Sequence, residues 1–308
     1  MNILIAGGAG EVGKHLVQDL TDQGHTVRVL DRAEKTKGLR DAIRGDLSDP
    51  ALVGAAVEGV DTIVNLAWSF ADDPQVIFGE DIRGHVNLLE AACTHKVSRF
   101  IYTSTATVYG RAVSHPVTES HPCLIAEARK PLYALGKYTA EELCQYYCKT
   151  RGLPTTIFRF WWAFGATIGG SNLRDLIRKS IHDQPLEMVQ GAGGAFLTMA
   201  DLGRAIHLSA SKPAAAGQVY NLGSLFLSWK EIADIIIGLT GSTSVIKPIL
   251  SEQWRGAAFL NEVWDLDWSK ARQEIGYEPA GSVEAMKASF MEALKRCVAQ
   301  VRSEENLK

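Results

Sequence analysis

The sequence predicts an α/β fold, a doubly wound parallel sheet with a smaller C-terminal substrate domain intertwined with it. Three features point there. Short apolar runs alternate with stretches of helical periodicity, the pattern of parallel strands covered by helices on both faces. The first run ends in a glycine cluster, GGAGEVG at residues 7–13. The second run ends in an acidic residue, Asp31.

Residues 2–6 (NILIA) form a continuous apolar run, which fits a strand buried on both faces. The next stretch carries Val12, Leu16 and Leu20 on one helical face and closes at Gly24, where glycine accepts a left-handed turn. Residues 26–30 (TVRVL) supply the second strand and complete a βαβ unit. Further strands are predicted at 61–66, 99–103 and 155–160, separated by helices that include 76–95 and 133–151. Asp49-Pro50 reads as an N-cap followed by a helix-compatible first residue. Beyond Gly165 the texture changes. Glycine-rich loops occur at 165–170 and 191–194, a strand-like VYNLG at 219–223, and Ser228 with Glu231 in capping-box spacing. A last helix at 283–301 has Val283, Met286, Phe290, Leu294 and Val301 as its apolar stripe, and 303–308 are expected to fray. The division predicted is 1–165 for the first domain and 166–308 mainly for the second, with 200–225 returning to the first sheet.

A chain of 308 residues is long for one core and suggests two coupled units. Its formal net charge of -3 leaves no basic footprint for nucleic acid. No apolar stretch approaches the roughly 18–20 residues of a membrane span. The start, MNILIAGG, lacks the basic region and cleavage site of a signal peptide, so a cytoplasmic location is expected. The five cysteines, an odd number without dense spacing, read as reduced thiols. Cys144 and Cys148 lie four apart, but no neighbouring His or Cys completes a metal set, so no metal site is expected.

Gly8-x-Gly10-x-x-Gly13 and Gly7-x-x-Gly10-x-x-Gly13 both fit a dinucleotide-binding turn. Glycines permit the tight turn and let backbone N–H groups approach a pyrophosphate at the helix N-terminus. Any strand–helix turn favours glycine, so the context matters: this loop follows a strand and opens a helix. Asp31 stands 18 residues after Gly13, where a carboxylate can accept both hydroxyls of an adenosine ribose and repel a 2′-phosphate. That favours NAD over NADP, although Arg32 next to it can grip such a phosphate. Asp46 and Leu47 are expected near the adenine, with a simple turn role as the alternative for Asp46.

Tyr133-Ala-Leu-Gly-Lys137 sets a phenol and an ammonium one helical turn apart. A free tyrosine is too weak an acid to serve as a base at neutral pH, and a nearby cation lowers its pKa. The spacing alone is common on solvated helix faces. Upstream, the strand ending FIYTSTATVYG delivers Thr103, Ser104 and Thr105 at its carboxyl end, where parallel sheets place their sites.

The ordered segments GGAGEVG, GDLSD, NLAW, DIRGHVNLLEAA, YTSTATVYG, YALGK, RFWWAFG, GQVYNLG and DLDWSKARQEIGY cover nearly the whole chain. They resemble the extended short-chain dehydrogenase/reductases, in particular the NAD-dependent epimerase/dehydratase family with its nucleotide-sugar 4-epimerases. The resemblance implies a Rossmann-type fold, NAD as cofactor, and Thr105, Tyr133 and Lys137 as the catalytic set. It implies cofactor contacts at Gly7, Gly10, Glu11, Val12, Gly13, Asp31, Arg32, Asp46, Leu47, Leu66, Ala67, Trp68, Thr103 and Phe160, besides Tyr133 and Lys137 themselves. It also implies a homodimer through the helices that start near Val76 and Tyr133. In the implied mechanism Tyr133 exchanges a proton with a secondary alcohol as hydride moves to or from its carbon. Thr105 orients the alcohol, and Lys137 holds the nicotinamide ribose.

The sequence departs from the family's pattern where substrate is bound. Trp162 stands where nucleotide-sugar epimerases usually carry Asn, and Ala195 where many carry an Arg that binds a diphosphate. Ala106-Thr107 follow Thr105 where sugar dehydratases place Asp-Glu, which disfavours dehydration. Asn172-Leu173 match an epimerase substrate loop, and Arg174, Arg178 or Arg255 can meet an anion. Candidate substrate residues are therefore Ser104, Trp68, Trp162, Asn172 and Arg174. Core packing for the tryptophans and a solvated face for the arginines are the plainer readings. The function expected is hydride transfer between NAD and a sugar-like or other small hydroxylated substrate. A nucleotide-sugar 4-epimerase is the near alternative and a non-catalytic dinucleotide sensor the remote one.

Overall fold

A computed structural model of the chain describes residues 1–32, 36 and 41–305. The apolar run at the start is β1 (Asn2–Ala6), followed by α1 (Glu11–Asp22), β2 (Thr26–Asp31), β3 (Ala42–Arg44), α2 (Pro50–Val57) and β4 (Thr62–Asn65). Then α3 (Pro74–Val76), a π-helical segment (Ile77–Ile82) and α4 (Arg83–Thr94) run on without a break. β5 (Arg99–Thr103), α5 (Pro131–Arg151) and β6 (Thr155–Arg159) complete the first half. The second half holds β7 (Trp162–Phe164), α6 (Ser171–Ile181), β8 (Leu186–Val189), β9 (Gly193–Thr198), α7 (Met199–Ser211) and β10 (Gln218–Asn221). It continues with β11 (Leu225–Ser228), α8 (Trp229–Thr240), β12 (Ile246–Ile249), β13 (Val263–Trp264), α9 (Ser269–Ile275) and α10 (Val283–Glu305).

Seven parallel strands form the main sheet in the order β10-β6-β5-β4-β1-β2-β3. The period of two along a strand sends alternate residues to opposite faces. Leu4 and Ala6 of β1 therefore enter the core under α2, α4 and α5, while Ile3 and Ile5 enter the core under α1, α7 and α9. The chain winds outward from β1 to β3, then returns to β4 and proceeds the other way. The reversal leaves a crevice at the carboxyl ends of β1 and β4, where Rossmann sheets bind ligands.

A second core lies among α6, α8 and α10, around Leu173, Ile177, Trp229, Ile236, Phe290 and Leu294. It packs against a smaller sheet in which β9 pairs with β11, β13 and β7, and a separate pair joins β12 to β8. The connectivity is interleaved. β7 and β9 belong to the small sheet, whereas α7 packs on the main sheet and β10 extends it. Local signals act as read from sequence. Asp49 caps α2 by accepting from the N–H groups of Ala51 and Leu52, and Ser228 with Glu231 forms the capping box of α8.

Two expectations change. The helix expected at 76–95 carries a π-helical segment, Ile77–Ile82, which shifts its faces and turns Glu80 and Asp81 toward the crevice. Fraying expected at 303–308 does not begin at Ser303, because α10 runs on to Glu305. Glu304 pairs with Arg174 and Glu305 with Arg178, 3.4 Å away, which holds that last turn. Residues 306–308 lie outside the described residues.

Candidate active site

The crevice is a cleft of about 520 Å³ floored by the glycine loop. Gly7 has φ +82, and a Cβ there would stand 2.8 Å from the Ala67 nitrogen. A Cβ on Gly13 would stand 2.5 Å from both the Gly7 oxygen and the Gly8 Cα. The loop thus folds on its own backbone, as close approach to a pyrophosphate requires. Gly10 is the N-cap of α1 without a side chain to satisfy the helix, and Glu11 and Val12 open the helix beside the cleft. The loop N–H of Ala9 donates to Asp31 Oδ2 at 3.0 Å, so the end of β2 and the glycine turn are tied together.

Arg32 donates to Glu80 Oε2 at 3.0 Å and lies 3.7 Å from Asp46 Oδ2. Asp46 accepts from the Ser48 N–H at 2.8 Å, and this bond, with Arg32 nearby, holds its carboxyl below the usual range. Leu47, Leu66, Ala67 and Trp68 complete the far wall. Phe160 is partly buried in the core under α7, and its carbonyl accepts from the Ala106 N–H at 2.9 Å.

Thr105 ends the β5 extension and caps the short turn Ala106–Tyr109, accepting from the Thr107 N–H at 3.1 Å. Its hydroxyl is close enough to Tyr133 to favour the ionised phenol. Pro131 opens α5, which places Tyr133 and Lys137 in its first two turns. Burial dominates at the phenol, pushing its pKa up to about 12. Thr105 and the Arg129 guanidinium oppose that shift. Lys137 donates to the Thr103 carbonyl at 3.1 Å, with its ammonium 4.4 Å from the centre of the Trp68 ring. Burial pulls its pKa down to about 7 against the pull of Asp81 and Glu141. The cation expected to favour the phenolate was Lys137. Its ammonium donates to the Thr103 carbonyl.

Two rings that line the cleft also hold the phenol. Phe70 stacks on Tyr133 at 5.6 Å and 17°, and Trp68 meets it edge-on at 6.4 Å. Phe70 is 66% exposed yet adopts φ 59, a conformation uncommon outside glycine. Its loop is pinned by Asp81, which accepts from the Ser69 N–H at 3.0 Å and from the Ser69 hydroxyl at 2.6 Å. Phe70, Asp81 and Arg129 escaped the sequence reading. A π-helical segment breaks the 3.6-residue period, and nothing local marks Phe70 or Arg129 as neighbours of Tyr133.

The candidate substrate residues scatter. Trp68 is at the site. Ser104 is buried and donates to Glu141, which also pairs with buried Arg159. Trp162 joins an aromatic wall, stacking on Phe196 at 5.5 Å and meeting Phe259 edge-on at 5.3 Å. Asn172 is partly exposed in the first turn of α6. Arg174 donates to Glu304, so its partner is the last helix of its own chain. Arg178 pairs with Asp175 at 3.0 Å, and Arg255 donates to the carbonyls of Glu252 and Trp254. Ala195 is fully buried in β9. Among the described residues no group of His, Cys, Asp and Glu could hold a metal ion, and no helix is long and apolar enough to cross a membrane.

Comparison with known proteins agrees with this architecture. A family model described as "NAD dependent epimerase/dehydratase family" matches residues 3–223. A Bacillus subtilis protein named "Uncharacterized UDP-glucose epimerase YtcB" is 27% identical, covering 92% of this chain and 95% of its own. A dTDP-glucose 4,6-dehydratase from an Actinoplanes species is 26% identical, covering 98% of both. Among solved structures, a short-chain dehydrogenase/reductase superfamily protein from Agrobacterium tumefaciens with bound NAD superposes with a TM-score of 0.78 at 25% identity over 100% of both chains.

Proposed function

Because the chain belongs to the NAD dependent epimerase/dehydratase family, we propose that it transfers hydride between NAD and a secondary alcohol of a sugar-like or other small hydroxylated substrate. Thr105, Tyr133 and Lys137 are its catalytic set. The observation that carries this reading is the convergence of Thr105, two residues past β5, and Tyr133 of α5 beside rings that line the glycine-floored cleft.

The residues present fit the cofactor. The glycine cradle that a Cβ would fill would accept a pyrophosphate, Asp31 at the end of β2 would take the adenosine ribose diol, and Lys137 would take the nicotinamide ribose. NAD supplies a two-electron hydride acceptor at that place. Tyr133 exchanges the alcohol proton through its phenol oxygen. At about 12, the phenol keeps its proton at neutral pH. That suits donation to a carbonyl, while Thr105 and Arg129 ease proton uptake in the opposite direction. Thr105 also hydrogen-bonds the substrate oxygen and holds it toward the phenol.

A nucleotide-sugar 4-epimerase is the second reading, favoured by the likeness to the Bacillus protein. Buried Ala195 and bulky Trp162 weigh against it, since neither offers the paired donors a diphosphate needs. NAD retained through purification favours the epimerase, and turnover of added NAD favours the dehydrogenase. The working form in this reading is a cytoplasmic homodimer through α4 and α5. Exposed Leu135 and Tyr146 on α5 support the dimer, and a monomer in sedimentation would remove it.

Tyr133→Phe tests the core of the proposal. NADH formation from alcohols should fall by about 10²–10⁴-fold, with NADH binding nearly unchanged because the ring remains. Turnover near that of wild type would exclude Tyr133 from the chemistry.

A further inference from the structure

Arg129 belongs to neither the glycine loop nor the Tyr–Lys pair, yet its charge reaches the phenol of Tyr133. It lies two residues before α5 opens at Pro131. Its guanidinium carbon stands 4.8 Å from the centre of the Phe259 ring. Its Nε is 3.7 Å from Glu262 Oε1, beyond hydrogen-bond range. Glu262 is held from its other oxygen by Trp264 Nε1 at 2.8 Å, and burial raises its carboxyl pKa. A ring face and a loose ion pair therefore flank the guanidinium, while Arg129 makes no hydrogen bond among the described residues. The arginines nominated from sequence differ: Arg174, Arg178 and Arg255 all have intramolecular acceptors.

Phe259 in turn stacks on Trp161 at 5.2 Å and 22° and meets Trp162 edge-on. Arg129 thus ties the segment that opens α5, one helical turn before Tyr133 in the chain, to the aromatic wall built by the second half. The side chain is 35% exposed, so the charge is desolvated in part but still reachable.

We propose that Arg129 is the specificity-determining residue for an anionic substrate, binding a carboxylate carried close to the alcohol carbon that reacts at Tyr133. A planar carboxylate matches the two-donor edge of a guanidinium, which a diphosphate would need in duplicate. The aromatic wall covers the apolar face of the same molecule. This inference rests on the oxidoreductase reading above and narrows its substrate to hydroxy acids, sugar acids included.

The test uses matched probes on the NAD-loaded protein: glucuronate against glucose, mandelate against 1-phenylethane-1,2-diol, and lactate against propane-1,2-diol. Binding is followed by tryptophan fluorescence, since Trp161 and Trp162 both touch Phe259. At least one acid should bind about tenfold or more tightly than its neutral partner, the range of a hydrogen bond to a charged group. Arg129→Gln should erase that preference, and Arg129→Lys should keep part of it. No preference in any pair, or one that survives R129Q, overturns the assignment. NADH binding, read from its own fluorescence, separates the two levels. A wild-type protein that binds no NADH sinks the oxidoreductase reading itself.

Discussion

Lys137→Met removes the buried ammonium and exposes its energetic cost. Lys137 is 4% exposed, and burial takes its pKa from 10.5 down to about 7. At about 1.36 kcal/mol per pH unit this is a penalty on the order of 5 kcal/mol for holding the charge in the folded chain. Methionine fills a similar volume without the charge, but the Thr103 carbonyl loses its donor, which returns about 1–3 kcal/mol. A net stabilisation of roughly 2–4 kcal/mol is expected where the lysine is charged in both states. The pH dependence has a fixed sign. Below about pH 7 folded and unfolded chains both hold the proton, and the full penalty is present. Between about 7 and 10.5 the unfolded chain keeps a proton that the folded chain has released, so wild-type stability rises with pH. The advantage of the variant is therefore greatest at or below neutrality and fades in alkali. Urea unfolding of cofactor-free wild type and K137M at pH 6.5 and pH 9 reads this directly. The gap should shrink by roughly 2–3 kcal/mol between those two values. A variant less stable than wild type at pH 6.5, or a gap that stays constant, refutes the reasoning. Turnover with NAD should fall in the same variant, so the added stability comes at the expense of function.

Two further outcomes follow from the cofactor cleft. Gly13→Ala places a methyl 2.5 Å from the Gly7 oxygen and the Gly8 Cα, and backbone on both sides must move. A loss of about 1–3 kcal/mol in stability should accompany at least tenfold weaker NADH binding, both measurable by titration and thermal melting; unchanged binding would show that the loop does not cradle the pyrophosphate. Asp31→Ser removes the carboxylate at the end of β2, and the ratio of NADPH to NADH dissociation constants should fall by about tenfold. A ratio that stays put would assign cofactor choice to another residue, with Arg32 already engaged by Glu80.

Much of the fold was legible because its signals are local. β1 is an apolar run that must be buried on both faces, the glycine loop must fold on its own backbone, and the caps at Asp49 and Ser228 act within three residues. The Tyr–Lys spacing likewise follows from one helical turn. The orientation of Lys137 did not follow, because helix spacing places a side chain's root and not its tip. The ammonium takes the Thr103 carbonyl from a strand more than thirty residues earlier.

By itself the sequence determined the main strands and helices of the first half, the glycine cradle and the acidic end of β2. Each of these is dictated by neighbours along the chain, by backbone sterics or by hydrophobic period. Only the tertiary structure decided which charges remain available to a ligand. Arg174 is hydrogen-bonded to Glu304, 130 residues away, whereas Arg129 lies over Phe259 from the second half of the chain with only a 3.7 Å ion pair to Glu262. Ion pairs and ring stacks between distant segments leave no periodic trace, since their partners are chosen by the packing of whole elements. The same holds for Phe70 on Tyr133, which exists because a π-helical segment turns Asp81 onto Ser69 and fixes the loop between them.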